Sequence, residues 1–141
     1  MSRVYWDTML FVYWMEQRPA YAGRMNQIVK KLGERQDVLC TSVFTIGEVL
    51  TGLAKRQDHA TFKNALDYFD SNEVEVIPFG RSAALKYSKI RSVLPVTAAD
   101  AIHLACASEA KVDVLITNDN KMIGRTVPGI QFIVGLDTNL Y

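Results

Sequence analysis

The chain has 141 residues, a common size for one compact domain, and 49% of them are hydrophobic, which is enough to fill a single core. Its 16 basic and 15 acidic residues nearly cancel, so the net charge neither requires nor excludes a nucleic-acid partner. Apolar runs are too short for a membrane span, the start does not resemble a signal peptide, and the two cysteines lack metal-finger spacing. We therefore expect one domain over residues 1–141, cytoplasmic and with no membrane partner.

Short strand patterns alternate with longer segments of helical period along the chain. In chain order, the patterns predict strand 4–6, helix 9–15, helix 20–32 ended by Gly33, strand 37–41, helix 44–54, helix 59–69, strand 74–77, helix 81–92, helix 97–110, strand 112–117 and strand 130–134. Such alternation indicates parallel strands joined by helical crossovers. The predicted fold class is α/β, with a mostly parallel central sheet of about five short strands flanked by helices.

Two aspartates follow predicted strands. Asp7 comes directly after the first strand and Asp119 comes two residues after the fourth. Because the carboxyl ends of parallel strands meet at one edge of a sheet, both side chains are expected at the same edge, where open α/β sheets bind ligands. Each aspartate taken alone is also explained as a turn or helix-capping residue.

Two further acids lie in helix-start patterns. Glu48 and Asp100 each stand three residues after a threonine, Thr45 and Thr97, and both segments match a capping box. This pattern predicts that both carboxylates lie in the first turn of a helix, where the helix dipole favours negative charge. The small neighbours leave room for a large ligand; they are Gly47, Ala98, Ala99 and Ala101.

Convergence of four carboxylates has an energetic cost that needs an explanation. At about 6 Å and an effective dielectric of about 20, each pair repels by roughly 3 kcal/mol. A divalent cation or a shift in protonation must relieve this repulsion. Oxygen ligands without a convergent histidine or cysteine favour Mg²⁺ or Mn²⁺ over Zn²⁺. Such a site is suited to phosphodiester hydrolysis by an activated water.

These segments resemble the motifs of the PIN-domain ribonucleases, including the VapC-type toxins of bacterial toxin–antitoxin pairs. The resemblance covers nearly the whole chain and rests on Asp7-Thr8, the FTIGEV segment at 44–49, the TAADAIHLA segment at 97–105 and the LITND segment at 115–119. It implies Mg²⁺ or Mn²⁺ held chiefly by Asp7, Asp100 and Asp119. Glu48 would complete the pocket and orient or deprotonate the attacking water, and Thr117 would support the ligands with its hydroxyl. Met9 departs from the toxins, which often place a small polar residue there.

The expected function is therefore a metal-dependent endoribonuclease that cuts RNA, the toxin of a toxin–antitoxin pair, with an antitoxin protein as partner and a homodimer as its assembly. A non-catalytic binding module built on the same fold is the alternative. A phosphotransfer or receiver domain also places an aspartate after its first strand, but the chain lacks an Asp-x-Asp pair at Asp7 and a lysine after the last strand.

Several other residues invite a functional interpretation. His103, three residues after Asp100, is interpreted as a packed residue rather than as a metal ligand or general base. The aromatic residues Trp6, Tyr13 and Trp14 are expected to pack against the core or a partner rather than to stack on bases. Basic residues that could grip RNA phosphates, although most are expected to face solvent, are Lys30, Lys31, Lys55, Arg56, Lys86, Lys89, Arg91 and Arg125.

Overall fold

The computed structural model describes all 141 residues as five short strands and six helices. In chain order they are β1 (Arg3–Trp6), α1 (Thr8–Met15), α2 (Ala22–Arg35), β2 (Val38–Ser42), α3 (Val43–Lys55), α4 (His59–Phe69), β3 (Glu75–Ile77), α5 (Arg81–Val93), α6 (Ala98–Glu109), β4 (Val114–Ile116) and β5 (Phe132–Val134). The predicted order of elements is confirmed, and no boundary moves by more than three residues. No helix combines the length and the apolar character that crossing a membrane requires.

All five strands are parallel and form one sheet in the order β3-β2-β1-β4-β5. The chain starts at the centre with β1, moves outwards through β2 and β3, and then returns to the other side of β1 with β4 and β5. The strand order therefore reverses between β1 and β4, where Tyr5 lies opposite Leu115. In open α/β sheets the ligand crevice lies at the carboxyl ends of the strands at this switch point.

The sheet separates two apolar cores of 17 buried residues each. Because successive side chains of a strand point to opposite faces, Val4 and Trp6 of β1 belong to one core and Tyr5 belongs to the other. Residues of α1 to α4 fill the first core, and residues of α5 and α6 fill much of the second. Burial on both faces explains why the central strands have continuous apolar sequences instead of an alternating pattern.

The predicted end of α2 at Gly33 is wrong. The helix continues to Arg35, and Gln36 takes the left-handed conformation, with φ 56°, that glycine usually supplies. The N–H groups of Gln36 and Asp37 bond to the carbonyls of Gly33 and Leu32, so the last turn is satisfied by the backbone alone. The left-handed conformation costs a residue other than glycine only about 1–2 kcal/mol, and the hydrogen bonds of this turn offset it.

The capping box predicted at Thr45 and Glu48 is also wrong, whereas the one at Thr97 and Asp100 is confirmed. Helix α3 begins at Val43 with Ser42 as its N-cap, three residues before Thr45, because the Ser42 hydroxyl at the end of β2 accepts the N–H of Phe44 at 3.0 Å. Glu48 therefore lies in the second turn of α3, not in the first. This shift places its side chain along the helix instead of at its positive end.

A substitution at Gly33 distinguishes the observed helix end from the predicted one. Gly33→Ala should raise the free energy of unfolding by about 0.5–1 kcal/mol, because the position is helical and a Cβ there meets no atom within 4 Å. Urea denaturation measures the change. A loss of stability would show that Gly33 needs the left-handed conformation after all.

A matched glycine serves as the opposite control for this experiment. Gly129 has φ +91°, and a Cβ there would lie 2.7 Å from the Ser108 Oγ and 2.9 Å from the Ser108 carbonyl. Gly129→Ala should therefore lower the free energy of unfolding by more than about 1 kcal/mol.

Candidate metal centre

A cleft of about 260 Å³ opens at the carboxyl edge of the sheet, at the switch point between β1 and β4. The four predicted acids all line it, and they come from four different parts of the chain. Asp7 follows β1, Glu48 lies on α3, Asp100 lies on α6 and Asp119 follows β4. The structure therefore brings every predicted site acid to one concavity.

Asp7 is the most deeply placed of these acids, with 6% of its surface exposed. Its Oδ1 accepts the N–H of Leu10 at 3.4 Å and caps α1, while its Oδ2 accepts the hydroxyl of Thr117 at 2.5 Å. Burial raises the pKa of Asp7 to about 6, the two hydrogen bonds oppose that rise, and the nearby charges of Asp100 and Asp119 add to it. The same carboxylate thus caps a helix and carries unrelieved negative charge into the cleft.

The Thr117 hydroxyl links the acids of the two central strands. It is fully buried, donates to Asp7 and accepts the backbone N–H of Asp119 at 3.1 Å. The carboxylate of Asp119 in turn accepts the N–H of Lys121 at 2.8 Å. One hydroxyl therefore holds Asp7 and the start of the Asp119 loop in a defined relation.

Asp100 approaches Asp119 from the opposite wall of the cleft. Burial raises the pKa of Asp100, the capping hydrogen bonds with Thr97 oppose that rise, and the charge and hydrogen-bonding contact of Asp119 raise the pKa further. Glu48 differs from these acids because its side chain is exposed and makes no hydrogen bond or ion pair. The cleft thus contains three packed carboxylates and one that is free to turn.

The donor set fits a hard divalent cation by its chemistry. All four acids offer carboxylate oxygens, the ligands that Mg²⁺ and Mn²⁺ prefer, and the cleft contains no cysteine. No group of three or more acidic, histidine or cysteine side chains lies close enough together in the structure to hold a metal ion. Mg²⁺ commonly keeps several waters and needs only one or two carboxylates, so this arrangement still fits such an ion.

His103 lines the cleft but both of its ring nitrogens are engaged. Nδ1 lies 2.8 Å from the Tyr5 hydroxyl and Nε2 lies 3.2 Å from the Thr8 hydroxyl. The residue is buried, and burial lowers the pKa of His103 to about 4, so the ring is neutral at neutral pH. These contacts agree with the interpretation of His103 as a packed residue. The sequence pattern did not reveal that Tyr5 and Thr8 are its partners.

Two other cleft residues had no predicted role there. Asn118 stands between Thr117 and Asp119, and its Nδ2 donates to the Tyr13 hydroxyl at 3.2 Å. Tyr13 is buried as predicted, yet its edge also lines the cleft. The only available signal was the position of Asn118 inside the LITND segment, beside an acid.

None of the predicted basic residues lines the acidic cleft. Arg56 pairs with Glu16 at 2.8 Å, and Lys30 pairs with Glu34. Lys86 and Lys89 line a larger concavity of about 570 Å³ at the amino ends of β4 and β5, the opposite edge of the sheet. We place the functional site in the smaller cleft, because all four predicted acids line it.

Comparison with known proteins gives a family match over most of the chain. The family model described as PIN domain matches residues 4–126. No significant match is found among curated proteins.

Solved structures share the fold at low sequence identity. VapBC2 from Rickettsia felis, bound to a DNA fragment from its promoter, has a TM-score of 0.74 and 17% identity over 94% of this chain and 98% of that one. A toxin–antitoxin complex from Klebsiella pneumoniae has a TM-score of 0.65 and 22% identity over 90% and 94%. VapC20 of Mycobacterium tuberculosis, a toxin that cleaves the sarcin-ricin loop, has a TM-score of 0.65 and 19% identity over 79% and 86%.

The buried state of Asp7 predicts a pH-dependent effect of its removal in metal-free buffer. An acid whose pKa rises from 3.8 to about 6 on folding contributes stability below pH 3.8 and loses it as the pH rises through 6. Between pH 4 and pH 6, the free energy of unfolding of Asp7→Asn should therefore rise relative to that of the wild type by up to roughly 3 kcal/mol. Urea denaturation in EDTA at several pH values measures this difference.

The difference between the two proteins is the relevant quantity because His103 acts in the opposite direction. Its pKa falls to about 4 on folding, so its contribution to stability is lost as the pH falls below about 6.5. Any hydrogen-bonding penalty of the amide is the same at every pH. A difference between Asp7→Asn and wild type that stays constant from pH 4 to pH 6 would contradict the raised pKa of Asp7.

Proposed function

The chain belongs to the PIN domain family, and we propose that it is a metal-dependent endoribonuclease, the toxin of a toxin–antitoxin pair, which hydrolyses RNA phosphodiester bonds in the cytoplasm. The supporting observation is the cleft at the switch point, where four separate elements contribute one acid each. Packing these acids together opposes their ionisation, and a cation that binds RNA phosphate would relieve this cost. The similarity in fold to a toxin that cleaves the sarcin-ricin loop supports RNA as the substrate.

In this proposal Asp7, Asp100 and Asp119 hold Mg²⁺ or Mn²⁺ and Glu48 completes the pocket. The bound cation would neutralise the carboxylates, polarise the scissile phosphate and lower the pKa of a water. Neighbouring groups of this chain hold the carboxylates in position. The Thr117 hydroxyl and the Leu10 N–H fix both oxygens of Asp7, and the capping box fixes Asp100 at the start of α6.

Proton transfer in this proposal falls to Glu48 and not to His103. The exposed carboxylate of Glu48 has no other partner and reaches the cleft from the second turn of α3, so it can accept a proton from the attacking water. His103 is neutral, buried and hydrogen-bonded through both nitrogens, so it has no free acceptor for this task.

The proposed partners follow from the comparisons and from the exposed apolar surface. The structures from Rickettsia felis and Klebsiella pneumoniae are toxin–antitoxin complexes, which supports an antitoxin protein as partner. A groove of about 180 Å³ between α1 and α4 offers apolar contacts from Trp14, Met15 and Tyr68 for such a partner. The proposal includes a homodimer, for which α5 offers the exposed apolar side chains of Leu85 and Val93.

Removal of one acid tests the proposed catalysis. Asp7→Asn and Asp100→Asn should each lower the rate of RNA cleavage in Mn²⁺ by about 100-fold or more, because each removes a charge that positions the cation. Asp67→Asn, which changes an exposed acid on α4, should cleave like the wild type. Gel assays with purified protein and an EDTA control measure the rates. Undiminished cleavage by the Asp7 and Asp100 variants would contradict the assignment of the site.

Thermal unfolding tests metal binding without relying on activity. Mn²⁺ at about 100 times its dissociation constant should stabilise the wild type by about 2.7 kcal/mol. The gain should vanish in Asp7→Asn, shrink in Thr117→Val, which lacks the hydroxyl that orients Asp7, and return in Thr117→Ser. Equal stabilisation of all four proteins would place the ion elsewhere, and no stabilisation of the wild type would favour the alternative of a non-catalytic binding module.

A further inference from the structure

A second concavity, the side cavity, opens at the same edge of the sheet beside the acidic cleft. Its volume is about 580 Å³, within the range of about 300–1,000 Å³ that is typical of small-ligand sites. Its walls follow the two strands next to the cleft, with Asn118 and Asn120 after β4 and Gly135 and Asp137 after β5, and Tyr21 lines it from just before α2. Asn118 lines both concavities, so the two are direct neighbours.

A pair of stacked aromatic rings forms the boundary between the cleft and the side cavity. Tyr13 lines the cleft and Tyr21 lines the side cavity, and their ring centroids are 3.9 Å apart at an interplanar angle of 19°. The Nδ2 of Asn118 donates to the Tyr13 hydroxyl at 3.2 Å, which ties the amide to this boundary. A ligand that crosses this boundary would therefore contact the carboxylates on one side and the ring of Tyr21 on the other.

The lining of the side cavity suits a neutral ring better than a phosphate. Its one cationic side chain, Arg24, donates to the carbonyls of Leu136, Thr138 and Tyr141 at 2.5–2.9 Å, so it holds the C-terminal segment in place. The carboxylate of Asp137 would repel a phosphate. The amides of Asn118 and Asn120 supply donors and acceptors, and Asp137 supplies acceptors, which together match the hydrogen-bonding edge of a nucleobase.

The open volume depends on the absence of a side chain at position 135. A Cβ on Gly135 would lie 3.0 Å from the Asp137 Oδ1 and 3.1 Å from the Ile123 Cδ1, both of which are side chains of the cavity wall. Gly135→Ala would therefore displace these side chains and narrow the cavity. The cleft acids lie outside this contact.

We propose that the side cavity binds the base of the nucleotide next to the scissile phosphate and sets the base preference of cleavage. In this arrangement the base would contact Tyr21 and present its edge to Asn120 and Asp137, while the phosphate lies in the cleft beyond Tyr13. Bases that leave their helix are commonly bound by aromatic stacking and edge hydrogen bonds. The assignment of the base to a substrate rests on the proposed function, whereas the binding of a base can be tested separately.

Nucleoside titration tests base binding without metal, phosphate or cleavage. Adenosine, guanosine, cytidine and uridine are added separately to the isotope-labelled full chain in EDTA. NMR shifts of all backbone amides and of the side-chain amide of Asn120, which lines only the side cavity, are recorded. At least one nucleoside should give saturating shifts confined to the side cavity, and Gly135→Ala should weaken that binding by about tenfold or more. Absence of saturating shifts with all four nucleosides would overturn the proposal, whatever the nuclease assay gives.

Cleavage profiling then tests whether the bound base belongs to the substrate. Wild type, Asn120→Ala and Asn72→Ala are compared on a random-sequence RNA pool in Mn²⁺; Asn72 is an exposed asparagine before β3, at the opposite edge. Asn120→Ala should reduce the wild-type preference for one base beside the cut by about tenfold, the discrimination that base-edge hydrogen bonds supply. Asn72→Ala should keep it.

The outcomes of this second experiment separate the two proposals. Active protein whose base profile is the same in wild type and Asn120→Ala would overturn the side-cavity proposal and leave the nuclease proposal standing. Wild-type protein that binds a nucleoside in the side cavity but cuts no RNA would overturn the nuclease proposal, while supporting the cavity as a base site.

Discussion

The repulsion among carboxylates at the switch point of the sheet is the constraint on which the site depends. Asp7 and Asp119 follow adjacent parallel strands, so the topology forces them together, and Asp100 enters from α6. The pKa values of Asp7 and Asp100 are raised because burial and like charges both oppose ionisation. The Thr117 hydroxyl acts against this repulsion by holding the buried oxygen of Asp7 and the backbone of Asp119. A cation bound between such carboxylates would lower the repulsion among them.

The rest of the architecture makes this arrangement rigid. Strands β1 and β4 are buried on both faces, and two separate cores pack against them, so the residues that follow these strands begin from fixed positions. Burial acts on every ionisable group placed there, and it favours the neutral form. It therefore raises the pKa of Asp7 and lowers the pKa of His103. The neutral histidine forms hydrogen bonds with the hydroxyls of Tyr5 and Thr8.

The two concavities at the carboxyl edge are lined by different kinds of side chain. The acidic cleft is lined by the four carboxylates, and the side cavity is lined by two amides, a phenol ring, one acid and the guanidinium of Arg24. The stacked rings of Tyr13 and Tyr21 separate them over a short distance. Under the proposed function, the phosphate and the base of one nucleotide would meet different surroundings, because a charged group and a neutral ring are stabilised by different neighbours. None of the predicted basic residues lines either concavity, and several of them form ion pairs.

Local patterns in the sequence determined the order of the elements, the α/β class, the positions of Asp7 and Asp119 after strands, and the capping box at Thr97, because these depend on near neighbours in the chain. Only the folded structure decided where α2 ends, that Glu48 lies in the second turn of α3, and that none of the predicted basic residues lines the cleft. It also formed the side cavity from segments about 100 residues apart. The helix ends depend on small energy differences between competing local caps, which a sequence pattern does not resolve. The side cavity depends on contacts between segments far apart in the chain, and no single stretch of sequence contains both sides of such a contact.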